Sequence, residues 1–288
     1  MTMGRVFKAG SKAQQFAAHV GGLEQLRSLA SRFADRQIPL MPIKGVLIRE
    51  AFYDDPVDRP VKDLDILVSS GRYEQAQTAL ESLGYRLVPE STRNHFQCSF
   101  RKDSALLPVD LHRSLFEECR YSFATQGIFD RAQLDEGLFG CQVHRMKDLD
   151  IVAHLIGKLS SDHVGFENKA RLQDLSQVAS RSSFSSQDLV HHLESFGLSR
   201  AGRYVRGLFR PNGHLPSGLE GLDELPTDPF ADLFAGLALR ANSRWGHASL
   251  PAKITALGLA GSTIGSLGLI SAGVRRQIRR RTESARED

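Results

Sequence analysis

Cysteine is scarce in this chain. Cys98, Cys119 and Cys141 are the three thiols in 288 residues; no two form a CxxC pair and the total is odd. That pattern excludes a disulfide-stapled scaffold and a cysteine zinc site, and it suits a reducing compartment. Two nucleotide and acyl-transfer signatures are also missing. There is no GxxxxGK[ST] loop and no GxSxG elbow, so neither a P-loop nor a serine-hydrolase site is supported. No apolar stretch follows the basic residues near Met1, and a secretory leader is not expected. Charge of one sign does not dominate either: 37 Lys and Arg stand against 33 Asp and Glu. Arg275, Arg276, Arg279, Arg280 and Arg281 crowd the C-terminal end, so the basic balance partly describes a tail. A nucleic-acid-binding face does not follow from it; the tail can touch RNA, anionic lipid or nothing.

What is present is ordinary globular material. Hydrophobic residues at 41% and charged residues at 24% exclude a largely disordered chain, and the length fits one large or two modest domains. Residues 11–36 carry Phe16, Val20, Leu23, Leu26 and Leu29 at helical spacing. The proline-bearing run Ile38–Ile43 fits a brief strand, since proline is excluded from helix interiors. A helix over Val46–Tyr53 follows Lys44-Gly45, then a turn-rich loop from Asp54 to Pro60, a strand at Leu64–Val68 and a helix near 71–83. Asn94–Arg101 and Leu106–His112 read as further strands. Beyond residue 140 the pattern turns helical, over 148–159, 168–180, 187–195 and 229–241, with a Pro- and Gly-rich joint at 211–228. The expected plan is α/β (α+β), a mixed sheet flanked by helices and followed by a helical C-terminal half. Its divisions are 1–140, a catalytic domain with N-terminal helices; 141–250, a helical domain completing the site; and 251–288, an uncharged Gly/Ser/Leu segment with an arginine-rich tail.

Lys62-Asp-Leu-Asp-Ile-Leu67 recurs almost verbatim as Lys147-Asp-Leu-Asp-Ile-Val152. The first copy opens a β-rich run, so Asp63 and Asp65 share one strand face while Leu64 turns inward. The second opens a helical pattern, where Asp148 reads as an N-cap and Asp150 as a first-turn acid facing the helix dipole. Chemistry is therefore assigned to the first copy. Two adjacent carboxylates repel unless a cation or proton separates them, and magnesium favours such hard oxygen ligands together with substrate phosphates. Asp110 in Pro108-Val-Asp-Leu-His112 offers a third acid. Three carboxylates on neighbouring strands can hold two metals, magnesium by preference and manganese as an alternative. Gly45 at a strand–helix junction permits close approach of a phosphate to free N–H groups, with Lys44 adding a point charge and Arg59 a bidentate fork. The bland alternatives are a tight turn for Gly45 and an ion pair to Asp54 or Asp58 for Arg59. His112 can ligate metal, act as a base or orient Asp110, and is ranked behind the acids. His154 and His163 have no zinc spacing, His191-His192 reads as helix surface, and Cys98 as a small packed hydrophobe.

These residues carry a resemblance. Pro42-Ile-Lys-Gly45, Tyr53, and Arg59-Pro-Val-Lys-Asp-Leu-Asp-Ile-Leu-Val68 resemble the uncharacterised nucleotidyltransferase family. That family belongs to the polymerase-beta-like nucleotidyltransferase superfamily, which also holds the AbiEii-type toxins. The resemblance runs on through Val109-Asp-Leu-His112, Lys158 and Arg171-Leu-Gln-Asp-Leu175. It implies that Asp63, Asp65 and Asp110 are the catalytic, metal-binding carboxylates. It further implies that Lys44, Gly45, Arg59, Lys158 and Asp174 contact the nucleotide, with His112 and Arg171 behind them. Lys44-Gly45 stands where the superfamily more often writes glycine–serine or glycine–glycine, which suggests that Lys44 replaces the usual serine contact. Arg171 and Asp174, three apart on one helix face, can equally pair with each other.

The expected activity is magnesium-dependent transfer of a nucleoside monophosphate from a nucleoside triphosphate to a hydroxyl acceptor, with release of pyrophosphate. The acceptor can be a protein, an RNA end, a sugar or a small molecule. The alternatives are a non-catalytic nucleotide-binding scaffold on the same fold, a toxin-like enzyme modifying tRNA, and, more distantly, a metal-dependent hydrolase. A cytoplasmic location is expected. One segment bears on it: Ile254–Val274 runs 21 residues without a charge, long enough to cross a bilayer of about 30 Å. Gly261-Ser-Thr-Ile-Gly265 there has the small-xxx-small form of packed membrane helices. Its glycines and hydroxyls make it only weakly hydrophobic, so peripheral or C-terminal membrane association is the less favoured alternative.

Overall fold

The apolar spacing of the first long helix sets where the first sheet's cover begins. In the computed structural model, α1 spans Lys12–Ala34. Leu26, Leu29, Ala30 and Phe33, at helical intervals, are buried. Phe16 and Val20, expected on the same stripe, are 55% and 49% exposed, so only the C-terminal half of the helix carries core. Gln25 donates from Nε2 to the Leu107 carbonyl and accepts from the Leu107 N–H, clamping the backbone two residues before a central strand. The structure describes residues 12–89, 96–118, 120–161, 169–209 and 213–229, with isolated positions 232, 233, 236, 258 and 259. Cys119, His163, the start of the expected 94–101 strand, most of the expected 229–241 helix, the arginine-rich tail and all of the 254–274 segment but two residues lie outside that set.

The described residues form two compact units. The first runs to Ser114 and resumes over Thr125–Met146; the second takes Leu115–Ala124 and the chain from Lys147 onward. In the first, β1 (Met41–Pro42), β2 (Leu64–Leu67), β3 (Arg86–Leu87), β4 (Gln97–Arg101) and β5 (Val109–His112) build one five-stranded sheet in the order β1-β2-β5-β4-β3. Only β2 and β5 are parallel; the other pairs run antiparallel. The expected 38–43 strand contracts to two residues on the sheet edge, where proline, lacking an N–H, is tolerated. Helices α2 (Lys44–Phe52) and α3 (Tyr73–Ser82) complete the layer. Leu64, Ile66, Val109 and Leu111 are fully buried, each such side chain worth about 1.5–3 kcal/mol of transfer free energy.

Some elements were not foreseen. Helix α4 (Thr125–Arg131) and the hairpin β6 (Gln133–Asp135)–β7 (Val143–Arg145) close the first unit. These strands are three residues long and β6 is largely exposed, so no apolar alternation announces them. The second unit is helical: α5 (Asp148–Ser161), α6 (Lys169–Arg181), α7 (Ser186–Ser195) and α8 (Ser199–Phe209). The repeat's second copy does open α5, but Asp148 is its first helical residue rather than the N-cap, with Asp150 beside it in the first turn. Asp150, however, is more than a dipole partner. It is fully buried and lies 3.0 Å from His192 Nε2, and His192, read as surface, has a side chain only 14% exposed. Helix α8 was overlooked, although Ala201, Tyr204, Val205 and Leu208 bury one of its faces. Among the described residues no helix is long and apolar enough to cross a membrane.

Candidate metal and nucleotide site

Parallel pairing of β2 with β5 places Asp65 opposite Asp110 and Leu67 opposite His112. Because strand side chains alternate, Asp110 and His112 share a face, and the in-register partner Asp65 joins them. One potential ligand atom from each of Asp65, Asp110 and His112 lies within 4.8 Å of the other two. Nε2 of His112 sits 2.9 Å from Oδ1 of Asp65. His112, ranked behind the acids on sequence, is thus fully buried within the cluster of potential ligand atoms. Asp63 stands outside this triad, in the bend one residue ahead of β2. Ser99 was missed: it faces Asp110 across the β4–β5 ladder and donates from Oγ to Oδ1 at 2.5 Å. Its signal was the alternation itself, since Cys98 and Phe100 point into the core and leave Ser99 on the opposite face. Cys98 is buried as expected, but its Sγ also lies 2.9 Å from the Tyr73 hydroxyl.

Backbone stitching brings Lys44 to the same place. The Ile43 N–H donates to the Asp65 carbonyl at 3.0 Å. Lys44 then opens α2 with φ of +53°, a left-handed conformation that costs a non-glycine residue about 1–2 kcal/mol. The Nζ atom donates to Oδ1 of Asp65 at 2.6 Å and lies 3.2 Å from Nε2 of His112. Ile43, the N-cap, supplies no side-chain hydrogen bond to the helix start. Arg59 hangs above this start: a Cβ added at Gly45 would lie 3.7 Å and 3.8 Å from its two terminal nitrogens. Arg59 Nη1 donates to the Pro60 carbonyl.

The charges are unevenly neutralised. Burial opposes ionisation of Asp65, but the Lys44 ammonium and the His112 hydrogen bond outweigh it and hold the carboxyl well below the usual range. Asp63 is pushed up to about 6 by burial and by the charges of Asp65 and Asp110, with Lys44 and Arg59 offsetting only part. Burial also raises Asp110, which the Ser99 hydrogen bond partly counters and Asp65 reinforces. The cations Lys44, Arg59 and Arg101 thus offset the three carboxylates only in part. Two carboxylates and an imidazole make a donor set that can hold a divalent cation.

Lys158, Arg171 and Asp174 belong to the second unit. Lys158 is half-buried on α5, while on α6 Arg171 is exposed and Asp174 is 2% exposed. The two α6 residues thus differ sharply in environment despite their three-residue spacing.

Comparison with known proteins gives one broad match. The model of a family described as uncharacterised nucleotidyltransferase matches residues 10–210. No curated protein matches the chain. Among solved structures, the chain is similar to an antigenic nucleotidyltransferase-like protein from Paracoccidioides brasiliensis, at 16% identity and a TM-score of 0.43, over 69% of this chain and 92% of that one. It is also similar to a tRNA-processing enzyme in an apo form, at 13% identity and a TM-score of 0.27, over 83% of this chain and 70% of that one.

Proposed function

We propose, from the premise that this chain belongs to the uncharacterised nucleotidyltransferase family and is a transferase, that it moves a nucleoside monophosphate from a nucleoside triphosphate to a hydroxyl acceptor with magnesium bound. The observation that carries the reading is the convergence of Asp65, Asp110 and His112 beside the start of α2. Asp65 and Asp110 would hold the metal with His112, and Asp63 would add charge from the adjacent bend. When bound, the ion supplies neutralisation of phosphate charge and lowers the pKa of an oxygen ligand. The chain's own residues do the remainder. The N–H groups of the first turn of α2, reached past Gly45, would donate to phosphate oxygens, and Arg59 would clamp them from above. Lys44 would follow the phosphate charge. Asp110, held by Ser99, would align the acceptor hydroxyl in line with the α-phosphorus. Lys158 and Asp174 remain proposed nucleotide contacts on the family resemblance alone.

The test is pyrophosphate release and label transfer from each α-labelled nucleoside triphosphate, with cell extract supplying acceptors. Wild type should transfer label only with magnesium or manganese, and Asp65→Asn and Asp110→Asn should lose it while keeping their circular dichroism spectra. Undiminished transfer by both variants would refute the site assignment. The labelled product's class would identify the acceptor.

A further inference from the structure

Lys44 is out of place for an ordinary surface ion pair. Among the described residues only Gln37 and Lys44 adopt positive φ without being glycine. Strained backbone of that kind persists where the surroundings over-determine it. At Lys44 the strain has a visible result: the ammonium is delivered onto Oδ1 of Asp65, at 2.6 Å, and toward Nε2 of His112, at 3.2 Å. Those atoms belong to two of the three residues able to hold a metal together. The Lys44 side chain is 25% exposed and that of Asp65 only 6%, so the ammonium stands on the solvent side of the buried ligand. A divalent ion reaching the Asp65 carboxylate must therefore displace, or share it with, a resident cation.

We propose that Lys44 is a tethered counter-cation that occupies the metal site until a nucleoside triphosphate draws it away. The inference rests on the functional reading above and goes further, because it assigns an order and a coupling to binding. Lys44 stands next to Gly45, at the start of α2 under the Arg59 guanidinium. A triphosphate seated there offers the ammonium a partner with more negative charge than Asp65 has, within reach of its flexible four-carbon stem. Movement of Nζ to the phosphate leaves Asp65 and His112 free for the metal. Nucleotide and metal then promote each other's binding, and by linkage the factor is the same in both directions. Without nucleotide, the ammonium keeps the carboxylates partly neutralised and guards the site against stray divalent ions.

The experiment measures manganese affinity of the full chain by electron paramagnetic resonance, with and without an α,β-methylene triphosphate analogue, in wild type, Lys44→Gly, Lys44→Met and Asp65→Asn. Lys44→Gly relieves the left-handed strain while removing the ammonium, so a folded variant is secured. Expected is nucleotide-free manganese binding about tenfold or more tighter in Lys44→Gly and Lys44→Met than in wild type, with the gain on adding analogue smaller by a similar factor. Equal nucleotide-free affinities in wild type and both Lys44 variants overturn the counter-cation alone and leave the metal site standing. Manganese binding that is absent throughout, or unaffected by Asp65→Asn, overturns the site reading and this inference with it.

Discussion

In the metal-free protein the Asp63 carboxyl titrates near 6 instead of 3.8, and replacing it with asparagine removes that titration. A raised folded-state value means that the native chain holds the proton more tightly than the unfolded chain. The stability this proton contributes is complete below about pH 4 and is lost as the pH rises through 6. A shift of about two units at about 1.36 kcal/mol each gives about 3 kcal/mol, and partial exposure of the carboxyl trims this to about 2 kcal/mol. Asp63→Asn should therefore match wild type near pH 4 and exceed its stability by about 2 kcal/mol at pH 7.5, in buffer with EDTA. Urea titration read through hydrogen exchange of peptides spanning β2 and β5 confines the measurement to the unit that holds the group. Saturating magnesium should narrow the gap by neutralising the neighbouring acids. Parallel pH profiles for the two proteins would refute the charge crowding on which the site argument relies.

Gly45→Ala would put a methyl 3.6 Å from Val61 and 3.7 Å from Arg59, ordinary contacts that leave the fold intact. Equilibrium dialysis should nevertheless show nucleoside triphosphate affinity lowered about tenfold, since the methyl fills the approach to the helix start. Gly157→Ala acts on the second unit: its Cβ would lie 2.7 Å from Cε1 of Phe116 and 3.2 Å from Leu198. Such overpacking should cost about 1–3 kcal/mol by chemical denaturation, and an unchanged midpoint would count against the packing described. His192→Ala should cost about 1–3 kcal/mol by stripping a partner from buried Asp150. In a double-mutant cycle with Asp150→Asn the two losses should be less than additive, and strict additivity would deny the pair.

Strands β2, β4 and β5 and the positions of Asp65 and Asp110 on them were legible because they obey short-range rules. Asp63, expected on the strand face beside Asp65, lies instead in the bend before β2. The two Lys-Asp-Leu-Asp copies were separated by what surrounds them, a proline and a β-rich run against a helical period, and the structure has one running into β2 and the other opening α5. Asp110 was legible from alternation in its strand. What escaped depends on partners distant in the chain. His112 takes its place in the candidate cluster only because β5 pairs in parallel with β2, a register no local pattern encodes. His192 was read as surface because the acid that buries it lies 42 residues away. The left-handed backbone at Lys44 has no sequence signature at all, since lysine is not a residue that favours it. Phe16 and Val20 show the converse failure: a regular apolar stripe marks a helix but not how far along it the core extends.

Parallel pairing of β2 with β5 also governs when the site comes into being. Asp65 and His112 meet across 47 residues of chain, and β4 pairs with β5 only after both have been made. Long-range pairing of this kind is slow, because the loop must close before any contact rewards it. A chain emerging from the ribosome therefore carries Lys44 and Asp65 for as long as it takes to synthesise β5, with only the two-residue edge strand β1 to pair with β2. A fragment that stops short of Val109 carries Asp65 but neither Asp110 nor His112, so the candidate cluster does not form in it. The cluster of Asp65, Asp110 and His112 thus exists only once β5 has paired with β2.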